Sequence, residues 1–197
     1  FARGLQRGLG FDLGYDPDGV VMMTAGPSLE RLTGPERAEY LRKMLALLRA
    51  DGTVQAAGVA MTRPMRGSMR MTFRPNVQQG EDPEVSVSLA IVSEGWVEAL
   101  GMRLLHGRTF TEQDRGSARV ALVSASAAHT FWKTDNAVGK RLRITAADDA
   151  PFYEVIGVVD DARYGSVDAK PTPHLYVSIF DSTSEFFPGQ AHALERT

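Results

Sequence analysis

The sequence predicts a mixed α/β fold. A capped amphipathic helix at Thr33–Leu48 sits between two β-compatible runs, and two later segments alternate apolar and polar residues with period two. Beyond residue 92, short apolar runs alternate with glycine turns and short helix starts. The chain has 197 residues, 43% of them hydrophobic and 23% charged, which suits one domain or two small ones with a real core.

In chain order, Phe1, Leu5 and Leu9 fall at helical spacing and predict a terminal turn or the end of a helix descending from a membrane. Gly8, Gly10 and Gly14 do not form a dinucleotide loop, because no strand precedes them and the Asp16–Gly19 turn follows. Val20–Thr24 reads as a short strand. Thr33, Pro35 and Glu36 then compose a helix start with a capping box, and Leu41, Met44, Leu45 and Leu48 mark one buried face. Asp51-Gly52 ends that helix, with the glycine expected in the left-handed conformation. Val54–Thr62 reads as the next strand, so the two strands are expected to run parallel through a right-handed crossover.

Arg63–Gly67 breaks the pattern. Met69, Met71 and Phe73 alternate with Arg70, Thr72 and Arg74, and Val85, Val87, Leu89 and Ile91 alternate with small polar residues. These two strands are expected to pair antiparallel across a polar loop. Ser93 is the expected cap of a short helix ending at Gly101. Strands are then predicted at Met102–Leu105, Val120–Ser124, Leu142–Thr145, Tyr153–Val159 and His174–Ile179. Ser124 or Ser126 caps a helix carrying Phe131 and Trp132.

Several function classes are disfavoured. The formal net charge is -2 and the sequence pI about 6.1, so no global binding of nucleic acid is expected. Cysteine is absent, which removes thiolate nucleophiles and ligands. No apolar run reaches the roughly 20 residues of a membrane helix. His106, His129, His174 and His192 show no metal-ligand spacing, and Gly139-Lys140-Arg141 lacks the pattern of a phosphate loop. The arginines and methionines between Met61 and Arg74 read as a strand and its lead-in, with arginines in water. Asp160-Asp161 reads as a turn closing a strand. Trp96, Phe110, Phe131, Trp132 and Tyr164 each stand beside a turn and read as pins that hold short helices and loops to a sheet.

Three stretches keep a common order. The first is Val92–Met102, continuing through Leu104–Arg115. The second is Phe131-Trp132 followed by Asn136–Arg143, and the third is Val155–Tyr164 followed by Pro171–Tyr176. Together they resemble the MacB-like periplasmic core domain, the extracytoplasmic module of certain ABC-transporter permeases. The resemblance runs from about Gly10 to Ile179 and looks most like the orphan-permease branch. Leu13-Gly14-Tyr15 and the segment around Thr62-Arg63-Pro64 depart from the family pattern.

The resemblance implies a Porter-like subdomain of β-α-β units plus a Sabre-like mixed α/β insert. On that map residues 1–18 lead in from a membrane helix, 19–64 form the first Porter-like half and 65–180 the Sabre-like part. Residues 181–197 return toward a second half that is expected to begin near Ala193, so Val54–Met61 is expected to form an edge covered by a second copy, by a swapped segment or by disorder. The implied function couples ATP-driven helix motion to efflux or extraction of a cargo. Implied partners are the membrane helices of the same permease, an ATP-binding subunit, and a periplasmic adaptor or second permease copy. No catalytic, cofactor or metal residue is implied, since ATP would be used by separate cytoplasmic subunits. Trp96, Phe110, Trp132 and Tyr164 are the candidate partner-contact residues. Two alternatives stand beside this reading: a stand-alone periplasmic module binding a ligand or protein in a cleft between subdomains, and a hydrolase using Asp114, Asp160 or Asp161.

Overall fold

A computed structural model describes residues 13–23, 32–61, 69–74, 85–116, 119–144, 152–163 and 172–181. The fold is mixed α/β, as the sequence predicts. Its elements are α1 (Gly34–Ala50), β1 (Met69–Arg74), β2 (Val85–Val92), the single turn α2 (Trp96–Ala99), β3 (Leu104–Gly107), β4 (Val120–Ser124), α3 (Ala125–Trp132), β5 (Arg141–Ile144), β6 (Phe152–Val159) and β7 (His174–Ser178).

Helix α1 starts as the capping pattern demands. The Thr33 N–H and hydroxyl both donate to the Glu36 carboxylate, at 2.9 and 2.8 Å, and satisfy a donor that a bare helix end would leave open. It ends without a left-handed glycine. Asp51 stops the helix in an extended conformation, and its carboxylate then accepts from the Thr53 N–H and hydroxyl. Ala38, Leu41 and Leu45 form the buried face.

The seven strands lie in the order β3-β6-β4-β7-β2-β1-β5. β1 and β2 pair antiparallel from Met69↔Leu89 to Phe73↔Val85, as their alternation predicts. β5 pairs with β1 through Phe73↔Ile144 and with β6 through Leu142↔Tyr153, so the ladder closes into a ring, and among the described strands only β3 stands outside it. Closure removes two strand edges that would otherwise be open.

Alternate residues on each strand feed two cores. One core joins α1 and α3 to Phe73, Leu89, Val123, Leu142, Tyr153, Leu175 and Val177. The other joins Trp96, Val97, Leu100, Met102 and Phe110 to Val92, Leu122, Ile156, Val159 and Tyr176.

Further expectations are corrected. Val20–Met23 and Val54–Met61 are not strands. The first is irregular, with Val20 half-buried against the second core and Val21–Met23 exposed, and the second touches the sheet through one antiparallel bridge, Ala60↔Val92, so no parallel crossover pair forms among the described residues. The apolar content of 54–61 instead docks on both cores through Val54, Val59 and Ala60. Ser93 does not cap α2. Gly95 occupies that position at φ 81°, because its backbone lies against the Ala57 carbonyl, where an added Cβ would stand 2.4 Å from the oxygen. Finally, β3 begins at Leu104 rather than Met102, since the Met102 N–H is bonded to the Val97 carbonyl at 3.0 Å rather than to a neighbouring strand.

Candidate functional site

Three tied joints sit at the ends of strands β2, β3 and β4 with β6. The first forms where β2 ends. The Ser93 N–H donates to the Val59 carbonyl at 2.8 Å, and the Ser93 hydroxyl accepts from the Val59 N–H at 2.8 Å, which stitches the segment after α1 to the sheet. Glu94, only 6% exposed, accepts from Arg49 of α1 at 3.2 Å and also from Arg115. Arg49 further donates to the backbone carbonyls of Ala57 and Glu94. Exposed Glu112 takes both arginines as well, at 3.3 Å from Arg49 and 3.1 Å from Arg115. The Arg115 guanidinium lies 4.8 Å from the centroid of Phe180, just past β7. Burial works against the Arg115 charge, but Glu94 and Glu112 more than offset it, so its pKa lies above the ordinary arginine value. A buried carboxylate is tolerable only when it is paired in this way.

The second joint follows β3. Arg108 donates two bonds to Asp114, at 2.7 and 2.8 Å, while Thr111 donates to the same carboxylate through its N–H at 2.8 Å and its hydroxyl at 2.9 Å. Asp114 closes a 3-10 turn over Glu112–Asp114 as its capping partner. The Arg108 hydrogen bonds lead in holding the Asp114 carboxyl down to about 2. Thr109 donates to Glu98 of α2 at 2.6 Å, which ties this turn to the one-turn helix beside Trp96.

At the third joint, β4 and β6 end beside the start of β7. Asp161 accepts from the Ser126 N–H at 3.0 Å and the Ser126 hydroxyl at 2.6 Å, at the start of α3. The Ser124 hydroxyl accepts from the backbone N–H of Ala127 and of His174. His174 is fully buried, and its Nδ1 donates to the Thr172 carbonyl at 2.6 Å. Burial lowers its pKa, against a smaller upward pull from Thr172 and Asp161. The lead-in is strapped across this joint: the Arg163 N–H donates to the Leu13 carbonyl at 2.9 Å, and the Asp16 N–H donates to the Leu100 carbonyl at 2.8 Å.

The candidate contact aromatics separate. Trp96 and Phe110 are buried in the second core, so they hold the joints and present little surface to a partner. The Trp96 indole N–H has no acceptor among the described residues. Trp132 is half-buried, tilted against Phe131 with ring centroids 5.2 Å apart. Tyr164 lies outside the described residues. The three acids weighed for hydrolysis are each engaged: Asp114 by Arg108, Asp160 by Arg103, and Asp161 by Ser126. Gly139 forms a turn into β5, in keeping with the rejected phosphate loop. No group of metal-ligand side chains occurs among the described residues, and no helix there is long and apolar enough to cross a membrane. Sequence reasoning missed the charges of the first joint. Its one local signal was Glu94, a charged residue lodged between apolar Val92 and Trp96.

Comparison with known proteins places this geometry in context. The family model described as MacB-like periplasmic core domain matches residues 1–194. The extracellular domain of the noncanonic ABC-type transporter YknZ from Gram-positive bacteria is similar at 20% identity and a TM-score of 0.50, over 74% of this chain and 66% of that one. The periplasmic region of MacB from Actinobacillus actinomycetemcomitans is 18% identical with a TM-score of 0.47, over 74% and 59%. The likeness to the YknZ domain concerns the fold, and the chain spans 66% of that domain's length. No curated protein matches the chain.

Proposed function

The chain belongs to the MacB-like periplasmic core domain family, and from that premise we propose that it is the extracytoplasmic part of an ABC-transporter permease that carries membrane-helix motion to a cargo. The family match across residues 1–194 carries this reading. The tied joints support it, because a part that transmits force needs stiff connections between its elements rather than a reactive group. In this reading residues 1–18 descend from a membrane helix, 19–64 are Porter-like, 65–180 are Sabre-like and 181–197 return to a second Porter-like half. The work is efflux or extraction of a cargo. An ATP-binding subunit supplies the energy in the cytoplasm, and the domain itself performs no catalysis and holds no cofactor. The outer partner is a periplasmic adaptor or a second permease copy, with Trp132 and Tyr164 as the aromatics offered for contact.

These 197 residues hold no cysteine, so a cysteine introduced here, compared with the unaltered parent permease, makes the location directly testable. Lys43 is exposed on α1, so a Lys43→Cys variant of the parent permease reports which side of the membrane this chain occupies. Labelling by a membrane-impermeant maleimide in intact cells is expected. Labelling only after lysis would contradict the proposal.

A further inference from the structure

Helix α1 is held to the rest of the molecule at two places of different character. Its middle is apolar, with Leu41 and Leu45 sunk in the first core. Its C-terminal turn adds charge to the apolar contact of half-buried Leu48. There Arg49 is spent on Glu94, Glu112 and two backbone carbonyls. Apolar packing tolerates small rotations because it is not directional. Charge-assisted bonds are directional and fix orientation. The apolar contact therefore works as a pivot, and the charged contact sets the angle about it.

The charged contact also has an unequal pair of acids. Glu94 is 6% exposed and Glu112 is 67% exposed, and each accepts from both arginines. An unpaired Glu94 would be a buried charge, so it draws the arginines back whenever they leave. Glu112 stands in solvent, so salt reaches the network from its side. Besides the charges, the helix end and the segment after it are held by Leu48, Val54, Ala57 and Val59 against the first core and Ala60 against the second. The segment after it makes one bridge to β2, with backbone or hydroxyl bonds at Val59 and Met61.

We propose that Arg49, Glu94, Arg115 and Glu112 form a releasable latch between the C-terminal end of α1 and the end of β2, opening by rotation of α1 about Leu41 and Leu45. The latch deepens the function proposed above: it decides whether α1 follows the sheet as one body or swings from it.

Amide hydrogen exchange on the 197-residue chain tests the latch. In Glu94→Gln, exchange is expected to rise about tenfold over residues 46–61 while β4, β6 and β7 keep their protection. Glu112→Gln, an exposed change that cannot unfold the core, is expected to raise exchange about threefold over the same residues. In the unaltered chain, raising salt is expected to accelerate those residues, and Glu112→Gln is expected to lose most of that response. Acceleration spread evenly along the whole chain, or no local change in either variant, would overturn the latch. The exchange data are separate from the labelling test of location. A latch that opens in a permease whose Lys43→Cys labels only after lysis would survive, and the transport reading would fall.

Discussion

Arg108 grips Asp114 with both ends of its guanidinium, at 2.7 and 2.8 Å, and this pair fixes the turn between β3 and β4. The Asp114 carboxyl is held down to about 2 from an ordinary 3.8, with the Arg108 hydrogen bonds as the first cause. A folded-state value below the unfolded one means the contribution is present above about pH 4 and is lost as pH falls toward 2. A shift of this size corresponds to about 2 kcal/mol, and solvent access to half-exposed Arg108 leaves about 1 kcal/mol of it. Arg108→Met is therefore expected to lower stability by about 1 kcal/mol at pH 7 and by much less near pH 2. Urea unfolding at both pH values measures the difference, and an equal loss at both would contradict this account.

Gly14 lies so close to Asp161 that an added Cβ would stand 1.7 Å from its carbonyl oxygen, and its φ is +71°. Gly14→Ala is expected to cost more than the roughly 1–2 kcal/mol of left-handed strain, because backbone must also move. Gly139 has φ +80° with nothing within 4 Å of its would-be Cβ, so Gly139→Ala carries the strain alone. Thermal unfolding of the two variants compares them directly. Limited proteolysis near the lead-in is expected to quicken only in Gly14→Ala, and equal behaviour would argue against the strap.

His174 gives the fold a mild acid sensitivity. Burial lowers its pKa below the ordinary 6.5, so the unfolded chain binds a proton that the folded chain resists. Stability from this residue is full above about pH 6.5 and declines as pH falls toward its folded-state value. The groups facing it include Asp161, whose charge partly opposes the shift. His174→Gln is expected to flatten the stability profile as pH falls below about 6.5. An unchanged slope in denaturant titrations would remove His174 as the cause.

Local pattern made much of this fold legible. The capping box at Thr33 and Glu36, the alternation from Met69 to Ile91, and the serine cap of α3 follow from neighbours in the chain. Ser124 accepts from the Ala127 N–H as such a cap should. The closure of the ring by β5 was hidden, because Leu142 gives no sign that its strand pairs on both sides. Val54–Thr62 misled because its apolar residues serve packing rather than a ladder. The first joint was the least legible, since Arg49 meets Glu94 and Glu112 across 45 and 63 residues of sequence. No periodicity records a contact of that range, and Ser93 passed for a cap because its hydroxyl has the right chemistry for either role.

Motion measured in the parent permease in lipid nanodiscs is the most direct test of the claim that the sheet of this chain moves as a stiff body with the membrane helices. Arg70 on β1 and Glu154 on β6 are both exposed and suit labelling. Energy transfer from Glu154→Cys to headgroup-labelled lipid is predicted to change on ATP addition, while the distance between labels at residues 70 and 154 stays constant. A signal to lipid that ignores ATP, or a distance within the sheet that changes with it, would contradict the account.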